Sequence, residues 1–190
     1  MKLDGILPFA RKLIEKAVAP GDIVVDATLG NGHDTLFLAK LVGNSGKVFG
    51  FDIQNEAVVK TTKRLEEHLL SDRVILFHSG HEHILTKIPS ENHGKIKAAI
   101  FNLGYLPGGD KTIVTVPTTT ISAIKQLLEI MAPEGIIVLV IYHGHEEGIV
   151  ERDTLLQYVK QLDQNNTHVL QYQFINQQNA PPFIIAIEKR

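Results

Sequence analysis

Apolar and polar positions along this chain fall into two patterns that take turns, short apolar runs and longer stretches with helical spacing. The runs cover residues 23–27, 47–52, 74–78, 98–102 and 135–142, and their length and β-branched or aromatic content are those of strands. Helical spacing occupies 6–18, 35–42, 55 to about 70, 82–88, 119–131 and 151–164. Ala19-Pro20-Gly21-Asp22 and Gly43-Asn44-Ser45-Gly46 end the first two helical stretches, and Asn55 is placed to cap the third. Such alternation predicts an α/β fold with a doubly wound sheet, in one domain spanning 1–190.

Two departures from simple alternation carry information. Residues 98–102 are apolar until the last, as in a central parallel strand, and a long glycine- and proline-rich segment, 103–118, follows at its carboxyl end. Loops in that position hold ligands in open α/β sheets. Residues 167–175 and 183–189 both read as strands, with only a short Asn/Gln/Pro turn between them. That spacing allows a hairpin but no crossover helix, so one strand must run antiparallel.

Composition narrows the class. With 190 residues, 44% hydrophobic and 21% charged, the chain has the make-up of one folded domain and not of a disordered segment. It has no run of about 18 apolar residues, and Met1-Lys2-Leu3-Asp4-Gly5 lacks the apolar core of a secretory signal, so a cytoplasmic protein without a membrane partner is expected. Zero cysteines exclude disulfides, thiolate metal sites and a cysteine nucleophile. A net charge of −2 gives no global pull on polyanions. Nucleic-acid binding would rest on the clusters Arg11, Lys12, Lys16 and Lys60, Lys63, Arg64, which also read as solvated helix faces.

The chemistry concentrates at Val24-Val25-Asp26-Ala27-Thr28-Leu29-Gly30-Asn31-Gly32-His33-Asp34-Thr35, where a strand meets a glycine turn and a helix start. About twenty residues after Gly32, the next strand ends in Asp52, placed to grip a ribose diol. These features describe a nucleotide site. The surroundings of the turn are polar and acidic, which suits a zwitterionic amino acid better than a pyrophosphate and favours S-adenosylmethionine over NAD. Asp26 is a candidate for the methionine ammonium, directly or through water, and Gly30, Asn31, Gly32, His33, Asp34 and Thr35 are candidates around it. The alternative for Asp34 and Thr35 is simple helix capping. Gln54 is a candidate adenosine contact, and His81 follows the third strand, where the resemblance described next implies a residue beside the adenine; a surface or capping role for His81 is the rival. His143-Gly144-His145 suggests a metal pair only if the strand continues, and it lacks a third ligand, so no metal is expected.

Three segments carry a resemblance over essentially the whole chain: 26–35, Gly50-Phe51-Asp52-Ile53-Gln54, and Asn102-Leu103-Gly104-Tyr105-Leu106-Pro107-Gly108-Gly109-Asp110-Lys111. With the closing hairpin, they resemble the class I S-adenosylmethionine-dependent methyltransferases, in particular a small bacterial family labelled putative rRNA methylase that is similar to tRNA 5-aminomethyl-2-thiouridine methyltransferases. The resemblance implies a Rossmann-like, seven-stranded, mostly parallel sheet of order 3-2-1-4-5-7-6 with helices on both faces. It implies S-adenosylmethionine as methyl donor and the anticodon region of tRNA, at wobble position 34, as substrate. Asn102-Leu103-Gly104-Tyr105 keeps both ends of the Asn-Pro-Pro-Tyr motif of amine methyltransferases and loses both prolines. There Asn102 and Tyr105 are candidates to hold the target nitrogen and to stack on its base, with Tyr105 as loop packing the rival; Asn102 also borders the donor site. Asp110 is a third catalytic candidate, and Pro107, Gly108, Lys111, Tyr142 and His143 are candidate substrate contacts. Where the family leads one to expect an acid after the loop proline, this chain reads Pro117-Thr118-Thr119-Thr120. A ribosomal RNA base or a small-molecule amine as acceptor, and a non-catalytic nucleotide-binding module, are the alternatives. Oligomeric state, homodimer included, is not readable.

Overall fold

The computed structural model describes residues 2–105, 108, 112–144 and 146–190. Seven strands form one sheet: β1 Ile23–Asp26, β2 Lys47–Asp52, β3 Val74–His78, β4 Ile96–Leu103, β5 Met131–Ile141, β6 Thr167–Tyr172 and β7 Phe183–Lys189. Their order is β3-β2-β1-β4-β5-β7-β6, with the pairs among β1 to β5 parallel and β7 antiparallel to both β5 and β6. The helices are α1 Ile6–Ala17, α2 His33–Leu41, α3 Asn55–Glu67, α4 Ile84–Lys87, α5 Pro117–Ile130 and α6 Glu146–Val159.

Successive strand residues point to opposite faces, and this sorts the core into two layers. Val24, Val48, Ala98, Val138 and Ile184 pack with Ala10 and Ile14 of α1, Leu38 of α2 and Leu65 of α3. Val25, Phe49, Ala99, Leu139 and Ile185 pack on the other face with Ala123, Ile124 and Leu127 of α5 and with Leu155 and Val159 of α6. Fully burying each such Val, Leu, Ile or Phe side chain is worth about 1.5–3 kcal/mol, so both faces need their helices. The chain leaves β1 in one direction toward β2 and returns to β4 on its other side. The sheet therefore reverses its winding between β1 and β4, where a crevice opens at the strands' carboxyl ends.

Several boundaries differ from the expected ones, each for a local reason. Asn55 is the first helical residue of α3 and not its cap; Gln54 holds the cap position, and its N–H is taken by Asp52 Oδ1 at 2.9 Å. α3 stops at Glu67, since Leu69 turns left-handed at φ 56°. Residues 81–88 split into a 3-10 turn and the four-residue α4. α5 begins at Pro117, whose missing N–H costs nothing in a first turn. β5 starts at Met131 and absorbs a bulge: Met131 pairs with Ile96, but the next pair is Ile136 with Ala98, and Glu134 between them has φ 61°. α6 runs five residues earlier than expected, 146–159 instead of 151–164, and β6 ends at Tyr172.

Candidate active site

The crevice between β1 and β4 holds two cavities, of about 200 and 580 Å³, which share Thr28, Gly30, Asn102, Gly104 and Tyr105 as a common wall. The glycine turn builds the rim. Gly32 sits at φ 75°, and a Cβ there would lie 2.8 Å from Thr61 Oγ1, so only glycine fits both the backbone and the space. Arg64 Nε holds the turn from α3 by donating to the Asn31 carbonyl at 2.9 Å. Gly32 is also the residue before α2, with no side-chain cap bond there. Among the described bonds the Asp34 carboxylate accepts from Arg11 and Asn102 and the Thr35 hydroxyl donates to Asp26, so these side chains are engaged away from the helix start.

Asp52, at the tip of β2, lines the smaller cavity with Gln54 and His81. Its Oδ2 accepts the Gly30 N–H at 3.0 Å, which couples the second strand to the turn. His81 is buried, with a ring edge toward Phe101, so it is not a surface residue. Its Nδ1 lies 3.1 Å from the Ala27 carbonyl, and a carbonyl only accepts, so Nδ1 carries the hydrogen. Burial lowers the pKa of the ring. The neutral ring therefore keeps a bare Nε2, buried and without a partner among the described residues, as an acceptor. A carboxylate for a diol and an acceptor for a purine amine fit adenosine.

Asn31, His33, Asp34, Tyr142 and His143 line the larger cavity. Tyr105 and Tyr142 are both partly exposed there, and burial raises the pKa of Tyr142, with the nearby Asp34 charge adding to it. His143 Nδ1 lies 3.4 Å from Arg152 Nη1, and its buried Nε2 is without a partner among the described residues. Asp26 and Thr35 line neither cavity. Asp26 lies fully buried under the turn, with Oδ2 accepting from Thr35 Oγ1 at 2.6 Å and Oδ1 from the Thr28 N–H at 3.2 Å. Desolvation pushes its pKa up to about 8, against the pull of those two bonds. At neutral pH this carboxyl is mostly neutral, an arrangement suited to supporting the turn.

The long loop has an order that sequence reasoning missed. Tyr105 bridges to Val114, and Thr115 both donates its N–H to the Gly104 carbonyl at 3.1 Å and accepts the Gly104 N–H on Oγ1 at 2.9 Å. Buried Glu151 of α6 fixes this arm, accepting from Thr115 Oγ1 at 2.5 Å and from Thr120 Oγ1 at 2.8 Å. One signal was available: Glu151 falls in the buried stripe of α6 with Gly148, Leu155 and Val159. Gly108 is an exposed turn residue at φ 83°. Pro107, Asp110, Lys111 and His145 lie outside the described residues, and among those described no group of three His, Cys, Asp or Glu could hold a metal. The two basic clusters are largely neutralised. Arg11 pairs with Asp34, Lys12 with Asp4, Lys60 with Glu56 and Lys63 with Glu67, while Arg64 is committed to Asn31.

Residues 48–188 match the family described as Putative rRNA methylase. The chain belongs to this family. It is a class I S-adenosylmethionine-dependent methyltransferase in fold and family. Over its full length, and that of the neighbour, it is similar to a putative rRNA methylase from Clostridium thermocellum, at 45% identity and TM-score 0.96. A putative methyltransferase from Streptococcus mutans, solved in complex with SAH, is 38% identical over 99% of both chains with TM-score 0.89. The chloroplastic tRNA (mnm(5)s(2)U34)-methyltransferase of Arabidopsis thaliana is 34% identical over 183 residues, which cover 92% of this chain and 66% of the plant protein, just under two thirds of its length. No helix among the described residues is long and apolar enough to cross a membrane.

Proposed function

We propose that this chain methylates RNA, and that its acceptor is the aminomethyl nitrogen of 5-aminomethyl-2-thiouridine at position 34 of tRNA, giving 5-methylaminomethyl-2-thiouridine. The observation that carries the reading is Asn102, which stands in the wall shared by the two cavities next to Tyr105. The donor's sulfonium supplies an electrophilic methyl group, and the protein's task is to align a neutral amine with it. Asp52 and Gln54 hold the ribose side and His81 Nε2 the adenine edge. Gly30, Asn31, Gly32 and His33 shape the turn around the methionine portion, and Asp26 with Thr35 supports that turn from below. Asn102 Oδ1 accepts a hydrogen bond from the amine, aiming its lone pair. Tyr105 stacks on the extruded base, with Tyr142 and His143 lining the rest of the larger cavity. The Arabidopsis relative supports the wobble uridine as target, and a tRNA substrate would place the work in the cytoplasm.

The family description favours ribosomal RNA as the second reading. The two separate in one assay, in which the purified protein and radiolabelled S-adenosylmethionine meet tRNA from a strain lacking this gene, the same tRNA sequences made by transcription, and ribosomal RNA. Label should enter the deletion-strain tRNA alone. Label in the transcript, which lacks the aminomethyl group, or in ribosomal RNA alone, overturns the assignment.

A further inference from the structure

Arg11, Asp34 and Asn102 form a chain of side chains from α1 through the start of α2 to the end of β4. Arg11 Nη2 and Nε donate to Asp34 Oδ1 at 2.8 and 3.2 Å, and Asn102 Nδ2 donates to Asp34 Oδ2 at 2.9 Å. The Asn102 N–H is held separately, by Thr28 Oγ1 at 2.7 Å. An amide's two ends are alike in shape, but a carboxylate only accepts, so Asp34 decides which end faces it. The NH2 faces Asp34, and Oδ1 is left for the cavities.

We propose that Asp34 is a positioning residue, which holds Asn102 with its oxygen toward the acceptor amine, and that Arg11 holds Asp34 in turn. The proposal rests on the reading of Asn102 given above. A neutral amine approaching the donor presents an N–H, which Oδ1 accepts; a flipped amide would set donor against donor. Without Asp34 the side chain has two amide orientations and up to three χ1 wells, about six states of which one is productive. Asp34 therefore acts on the rate of transfer and leaves donor binding alone. A role as receiver of the donor's ammonium would do the reverse.

The test measures kcat and the Kd for S-adenosylhomocysteine, using deletion-strain tRNA as acceptor, for Asp34→Ala, Asp34→Asn, Arg11→Ala, Asn102→Ala and the Asp34→Ala/Asn102→Ala double variant. Asp34→Ala should lower kcat about fivefold to tenfold with the Kd changed less than twofold. Asp34→Asn, which still offers an oxygen to Asn102 Nδ2, should recover most of the rate, and Arg11→Ala should show a weaker form of the same loss. In the Asn102→Ala background, Asp34→Ala should cost nothing more, as coupled residues do. Tenfold weaker S-adenosylhomocysteine binding, an Asp34→Asn rate as low as that of Asp34→Ala, or independent multiplying losses each overturn the proposal. Full activity in Asn102→Ala removes the underlying reading itself, whereas a slow Asn102→Ala beside a fully active Asp34→Ala removes only the proposal.

Discussion

Replacing Asp52 by alanine should weaken donor binding by two to four orders of magnitude. In the structure its carboxylate accepts the Gly30 N–H at 3.0 Å and the Gln54 N–H at 2.9 Å, so it stands fixed in the lining of the smaller cavity. In the proposed donor site its remaining lone pairs would take the two ribose hydroxyls. Hydrogen bonds to a charged group are worth about 1.5–3 kcal/mol each, so two amount to about 3–6 kcal/mol. At about 1.4 kcal/mol per decade that is about 10²–10⁴ in Kd. Isothermal titration with S-adenosylhomocysteine measures it, but a slackened glycine turn would weaken binding too. An S-adenosylhomocysteine analogue without both ribose hydroxyls separates the two effects. Wild-type protein should prefer the natural ligand by about 10² or more, and Asp52→Ala should hardly distinguish the pair. A variant that keeps the preference, or a Kd that changes less than threefold, refutes the placement of the ribose.

Three further outcomes are expected. Asp26 takes up its proton at a higher pH in the folded state, about 8, than its ordinary 3.8, so the native protein binds more protons between these values and stability falls as pH rises through that window. Asp26→Asn should flatten the decline in Tm between pH 6 and 9, and equal slopes for both proteins would contradict the burial argument. Gly32→Ala combines a left-handed backbone with a Cβ 2.8 Å from Thr61 Oγ1. Strain and overpacking together should cost about 2–5 kcal/mol, or roughly 5–15 °C in Tm for a chain of this length, and a shift under 1 °C in thermal denaturation would refute the fit. Glu151→Ala frees the Thr115 and Thr120 hydroxyls, so KM for tRNA should rise about tenfold while the S-adenosylhomocysteine Kd stays put; loss of donor affinity instead would show that Glu151 does not act through the acceptor loop.

The alternation of strands and helices and the closing hairpin were legible because apolar period and loop length act locally, and 167–189 has no room for a crossover; the strand order came only with the family resemblance. Boundaries failed where the deciding group carried no local signal. α2 starts at His33 behind a left-handed glycine with no capping side chain, so the expectation began it at Thr35. In β5, Pro133 and Gly135 look like an end to regular structure, yet they form a bulge inside the strand, where a lost ladder bond is tolerated. Asp52, Asn102 and Tyr105 were readable as candidates because they end strands or follow a glycine turn. The partners that orient them were not, since Arg11 lies 23 positions before Asp34 and Asp34 lies 68 before Asn102, and only the fold brings them together.

Nucleoside mass spectrometry of tRNA from a strain lacking this gene tests the central claim most directly. The expected result is loss of 5-methylaminomethyl-2-thiouridine with accumulation of its 5-aminomethyl precursor, reversed by the wild-type gene and not by Asn102→Ala. Persistence of the methylated nucleoside, with no precursor accumulating in a strain that has no second such enzyme, would contradict it.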